Sequence, residues 1–187
     1  MKNIIIISAP SGSGKTTLCK AVQNKFDDVN WSISCTTREK RSTEVDGVDY
    51  HFTDIKKFES LIDLKKFVEW EKVHGNYYGT LESPLVDAIK MNYFLLLELD
   101  VKGAMSIKKI FPKNTFSIFI IPPSIRHLRD RLKKRGTDSP DRIEVRLQRF
   151  QQEMDSKDNF DKIMVNENLE IAKASLIKII NEVKKGA

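Results

Sequence analysis

Cysteine is scarce in this 187-residue sequence: Cys19 and Cys35 are its only two, and neither belongs to a Cys-x-x-Cys pair. No disulfide framework and no cysteine metal site can be built from them, so a reducing, cytoplasmic setting is expected. Apolar runs are short. Ile4–Ile7 falls far below the roughly 20 residues that span a bilayer or the roughly 7–15 of a signal-peptide core, so neither membrane association nor export is expected. Glycine and proline number only eight and six, and no repeat, low-complexity tract or Pro/Gly/Ser-rich linker divides the chain. A single domain over residues 1–187 is the simplest organisation. With 40% hydrophobic and 31% charged residues, the composition excludes a disordered tail and a collagen-like fibre.

The charge is unevenly spread. Net charge is +6, and between Arg126 and Arg149 nine Lys/Arg face four acidic residues, which leaves the rest of the chain nearly neutral. One arginine-rich segment in a balanced chain suits a local polyanion such as a nucleoside triphosphate. The segment has no interleaved aromatics, which argues against a nucleic-acid partner.

Asn3–Ser8 is a nearly unbroken β-branched run ending in Ala-Pro-Ser-Gly, the pattern of a buried parallel strand. Phe94–Leu99 and Phe116–Ile121 repeat it, and Ile163–Val165 is a shorter candidate. Helical spacing follows or separates them: Leu18 and Val22 within 15–25, a helix opened by Ser83-Pro84, one capped by Ser124, Ile143/Leu147/Phe150/Met154, and Ala172/Leu176/Ile179/Ile180/Val183. Alternation of this kind predicts an α/β fold, a parallel sheet with helices on both faces. Residues 34–83 break the rhythm. Asp49–Phe52 and Phe67–Val73 read there as half-exposed strands with polar turns, making a small inserted lobe.

Directly after the first strand stands Ala9-Pro10-Ser11-Gly12-Ser13-Gly14-Lys15-Thr16, followed by Thr17. This matches the phosphate loop except for alanine at its first glycine. Gly12 and Gly14 let main-chain N–H groups face phosphate oxygens, Lys15 is placed to bridge the β and γ phosphates, and Thr16 to ligate Mg²⁺. The strand before and the helix after weigh against a plain Ser/Gly turn. A nucleoside triphosphate is thereby predicted; its phosphoryl acceptor is not.

The inserted lobe addresses the acceptor. Arg38 and Arg41, with Tyr50 and Tyr78 nearby, form a plausible fork for one phosphate. Glu69, between Phe67 and Trp70, offers a carboxylate for two parallel N–H donors; guanine presents such a pair on its N1/N2 edge, and Ser34 and Thr80 carry hydroxyls for O6. Glu98 and Asp100 lie at the carboxyl end of a core strand, where open α/β sheets bind ligands. A ligand or Mg²⁺-water role for Asp100 is favoured over a helix cap.

At these residues the chain resembles guanylate kinase. Ser34-x-Thr-Thr-Arg38-x-x-Arg41, Gly47-x-x-Tyr50-x-Phe52, the Glu69 strand, Gly75-Asn-Tyr-Tyr78-Gly, Asp100, Pro122-Pro-Ser124 and Arg135-Gly136 occur in the family's order over essentially the whole chain. Ala9, Glu98 and Pro140 depart from its usual pattern. The resemblance implies a phosphate-loop kinase that transfers phosphoryl from ATP to GMP with Mg²⁺. It further implies that Arg38, Arg41, Tyr50 and Tyr78 hold the GMP phosphate, that Ser34, Glu69 and Thr80 read guanine, and that Arg131, Arg135 and Arg146 act from an ATP-side lid alongside Lys15. The expected parts are a core (1–33, 84–123, 150–187), a GMP lobe (34–83) and a helical lid (about 124–149). GMP and ATP are the expected partners, with no obligate protein partner. Two rivals stand against this reading. A kinase for another phosphorylated metabolite fits Glu69 with Ser34 and Thr80 poorly, and a non-catalytic scaffold module fits the intact Gly12–Thr16 stretch poorly.

Overall fold

The computed structural model describes every residue except Ser11, His74, residues 136–138 and Ala187, and only the main chain of Arg135. The strands are β1 (Ile4–Ser8), β2 (Val29–Trp31), β3 (Cys35–Thr36), β4 (His51–Phe52), β5 (Phe67–Val73), β6 (Asn76–Leu81), β7 (Phe94–Leu99), β8 (Thr115–Ile121) and β9 (Lys162–Val165). The helices are α1 (Lys15–Gln23), α2 (Ile55–Asp63), α3 (Glu82–Met91), α4 (Val101–Ile110), α5 (Ile125–Arg135), α6 (Pro140–Met154) and α7 (Leu169–Lys185).

The principal sheet runs β2-β7-β1-β8-β9, with every pair parallel. Its central strand explains the unbroken isoleucine run. Ile5 and Ile7 face one core with Leu18 and Val22 of α1 and Leu176 and Ile180 of α7. Ile4 and Ile6 face the opposite core with Leu85 and Ala88 of α3 and Ala104 and Ile107 of α4. A strand buried on both faces has no position for a polar alternate. The carboxyl ends of β1, β7 and β9 open on residues 9–14, Asp100 and Asn166, the edge where such sheets bind ligands.

A second sheet, β4-β3-β6-β5, is antiparallel except between β3 and β4. Helix α2 closes its face: Phe58, fully buried, stacks on Phe67 with ring centroids 4.4 Å apart and on Tyr77 at 5.1 Å. Helices α5 and α6 pack through Leu128 and Leu132 against Ile143, Leu147 and Phe150.

The structure departs from the sequence reading in three places. Helix α3 begins at Glu82 rather than after a Ser83 cap, and its N-cap, Leu81, makes no side-chain bond; Pro84 still fits, because the first N–H groups of a helix have no internal partner. Helices α2 and α4 and the strands β2 and β3 were not anticipated. Helix α2 is capped by Asp54, which accepts from Lys57 N–H at 2.8 Å, and buries only Phe58, so little of it stands out as an apolar stripe. The strand expected over 49–52 shrinks to His51–Phe52, with Asp46 and Tyr50 joined by an isolated bridge.

Candidate active site

The loop after β1 folds back on itself, Ser13 N–H donating to the Pro10 carbonyl at 3.1 Å. Gly12 and Gly14 hold φ of 91° and 87°, in the left-handed region that favours glycine. Space forbids a side chain as well: a Cβ on Gly12 would lie 2.9 Å from Leu128 and Leu132, and one on Gly14 2.7 Å from Asn166 Nδ2. Ala9, Pro10 and Ser13 are buried, Thr17 is exposed on the first turn of α1, and Ser11 lies outside the described residues. No side chain caps α1 at Gly14, which leaves the helix N-terminus as a donor array for an anion. Lys15 Nζ donates to the Leu99 carbonyl at 2.8 Å, and Thr16 Oγ1 to Glu98 at 2.6 Å.

On the second sheet, Thr80 Oγ1 donates to Glu69 Oε1, and Glu69 Oε2 lies beside Gly103 of α4, 3.1 Å from where a Cβ would stand. Burial pushes the Glu69 carboxyl above its ordinary value, the Thr80 hydroxyl opposes that shift, and the Asp100 charge adds to it. Asp100 caps α4, accepting from Gly103 N–H at 2.8 Å, the duty that the sequence reading ranked second. Ser34 is half-buried, and its carbonyl accepts from His51 N–H at 2.9 Å.

Arg38 is held by Glu44 through two parallel bonds of 3.0 and 2.7 Å, and its guanidinium lies 5.6 Å from the ring centres of Tyr50 and Phe52. The Tyr50 and Tyr78 rings meet edge to face at 6.2 Å, whereas Tyr77 packs away on Phe58. Arg38 and the two tyrosines thus form one cluster. Arg41 stays outside it, its side chain 65% exposed and 3.7 Å from Glu44. Burial and then the Glu98 charge raise the Tyr50 hydroxyl pKa.

Arg131 donates to the main-chain carbonyl of Asn166 at 2.9 Å and of Glu167 at 3.4 Å, not toward the loop itself. Arg146 is half-buried on α6, and the Arg135 side chain lies outside the described residues. Burial lifts the Cys19 thiol well above its ordinary pKa and Cys35 to about 11, so neither supplies a thiolate nucleophile.

Sequence reasoning missed Glu44, Gly103 and Asn166. Glu44 lies in an irregular loop with no periodic signal. Gly103 was detectable as an isolated glycine inside a helix, and Asn166 as the residue that follows a core strand.

The guanylate kinase family model matches residues 1–183. The chain belongs to the guanylate kinase family. It is 41% identical over 181 residues to the guanylate kinase of Carboxydothermus hydrogenoformans, covering 97% of this chain and 88% of that one. It is 44% identical over 177 residues to that of Aromatoleum aromaticum, covering 95% and 86%. The crystal structure of guanylate kinase from Anaplasma phagocytophilum superposes with a TM-score of 0.79 at 28% identity, covering 96% of this chain and 84% of that one. Like its family, the enzyme is a kinase that phosphorylates GMP to GDP with ATP as donor. Among the described residues no helix is long and apolar enough to cross a membrane.

Proposed function

We propose that this guanylate kinase divides its reaction among three parts: residues 1–33, 84–123 and 150–187 as the core that holds ATP, 34–83 as the lobe that holds GMP, and about 124–149 as a lid. Residues 9–17 cradle the donor phosphates, with Lys15 bridging β and γ. Arg38, Arg41, Tyr50 and Tyr78 take the GMP phosphate. Glu69 accepts from guanine N1 and N2 while Ser34 and Thr80 serve O6, and Asp100 borders the base beside Glu69. Arg131, Arg135 and Arg146 supply charge to the transferring group. The acceptor is a phosphate anion, so no strong general base is required, and catalysis rests on positioning and charge neutralisation. Closure of lobe and lid over both nucleotides excludes water that would otherwise hydrolyse ATP.

Thr16 and Glu98, joined at 2.6 Å, present a hydroxyl and a carboxylate, the oxygen donors Mg²⁺ accepts while keeping waters and phosphate oxygens. Bound there, Mg²⁺ would neutralise charge on the β and γ phosphates. Cysteine usage favours a cytoplasmic setting.

The observation that carries this reading is the link between the two halves. Glu69 of the lobe lies against Gly103 of α4 beside the Asp100 cap, and Lys20 of α1 reaches Asp49 of the lobe at 3.9 Å. Both contacts support a donor loop and an acceptor cluster that share one cleft. A coupled ADP-release assay on GMP, AMP, CMP and UMP tests it: GMP should dominate, Arg38→Ala should raise KM for GMP with KM for ATP nearly unchanged, and an equal rise in both would overturn the division.

A further inference from the structure

We propose that Asn166 is a positioning residue for the phosphate loop: its side-chain amide fixes the Ser13–Gly14 peptide so that the Gly14 N–H faces the donor phosphates. This rests on the reading that residues 9–17 hold those phosphates.

Asn166 follows β9 directly and is 2% exposed. Its Nδ2 donates to the Ser13 carbonyl at 2.7 Å across 153 residues of sequence, and its own N–H donates to the Ile121 carbonyl at 2.8 Å. The amide is thus anchored to the core sheet and aimed at the loop. A trans peptide is planar, with C=O and N–H pointing in opposite directions. Pinning the Ser13 carbonyl toward Asn166 therefore turns the Gly14 N–H away from it, to the side where α1 begins.

The loop needs this pin. Gly14 tolerates either sign of φ, so the Ser13–Gly14 peptide can turn over with little steric resistance. The Ser13 side chain does not prevent it, since its Oγ is buried without a hydrogen-bond partner among the described residues. Asn166 Oδ1 is likewise buried and unpartnered. An amide chosen only for stability would satisfy both ends; this one keeps its donor on the loop and leaves its acceptor unmet. The same residue touches the lid helix, because its main-chain carbonyl accepts from Arg131.

Asn166→Asp tests the inference, since a carboxylate of nearly the same shape cannot donate to Ser13 and its protonated form can. At pH 8 N166D should bind a non-hydrolysable ATP analogue about tenfold or more weakly by calorimetry, with GMP affinity within about twofold of wild type. Relative to wild type at each pH, ATP affinity should recover as pH falls and the acid protonates, whereas N166A should show the loss without the recovery. A generally loosened fold would lower GMP affinity and melting temperature without that pH dependence, and would overturn the proposal. So would unchanged ATP affinity in both variants. Should N166D not fold, N166A decides alone: ATP binding lost with GMP binding kept supports the role, and both kept overturns it. Lys15→Met separates the underlying reading: normal turnover in K15M would sink the phosphate-loop assignment itself, while an inactive K15M beside a normal N166D would sink only the role of Asn166.

Discussion

Glu44 grips Arg38 with both carboxylate oxygens and also accepts the main-chain N–H of Arg41 at 2.8 Å. One carboxylate therefore shapes the whole turn from which both arginines project. Glu44→Gln would set an amide N–H₂ against guanidinium donors, so it should raise KM for GMP about tenfold while KM for ATP stays near wild type. The Arg38 bond holds the Glu44 carboxyl below its ordinary 4.5. A depressed carboxyl contributes stability above its unfolded pKa and loses it as pH falls through the folded one. The Arg38–Glu44 contribution is thus full at neutral pH and fades below about 4.5, a difference that acid titrations of wild type and E44Q should resolve.

Glu69→Gln should improve stability as it removes function. Burial raises the Glu69 pKa, so this group stabilises the fold when protonated, below its unfolded pKa, and that contribution is lost as pH rises through the folded value. At neutral pH the glutamine variant should melt higher than wild type by differential scanning fluorimetry. Its GMP preference over IMP and AMP should collapse, by factors of up to about 10⁴, because an amide N–H₂ would face guanine donors. Retained GMP preference would remove Glu69 as the base reader.

Gly103→Ala sets two effects against each other. Alanine in α4 favours the helix by about 1 kcal/mol, but its Cβ would press on Glu69 Oε2 at 3.1 Å and on Asp100 Oδ1 at 3.3 Å. The expected result is a melting temperature equal to or above wild type with KM for GMP raised several-fold. Unchanged KM would mean that Glu69 has room to move without consequence for the base.

Lys15→Ala should abolish turnover while the fold persists. Its ammonium bonds the Leu99 carbonyl at the edge of the site, and its removal opens no core cavity. A loss of at least about 10³ in kcat is expected, with the circular dichroism spectrum unchanged.

Arg131→Ala and Arg146→Ala should each lower kcat by about 10² or more and change GMP affinity little, the pattern of contacts made mainly in the transition state. Arg149→Ala, further along α6, should matter much less. Equal, mild effects at all three would assign the arginine-rich segment to a solvated face.

The α/β class, the doubly buried β1, the glycine-bearing loop and the apolar faces of α1, α6 and α7 were legible in sequence, because each depends on residues a few positions apart: strand alternation, helical spacing, left-handed turns. The second sheet was legible as a break in that rhythm, but α2 was not, since Phe58 becomes its one buried residue only when Phe67 and Tyr77 come to stack on it. The contacts that assemble the site span long stretches of chain. Thr16 meets Glu98 across 82 residues, Lys15 meets Leu99 across 84, and Ser13 meets Asn166 across 153. No local pattern encodes such pairs. The parallel order of β7, β1, β8 and β9 decides them, because it brings the carboxyl ends of separate strands to one edge, where hydrogen bonds reach a few ångströms and sequence distance ceases to count.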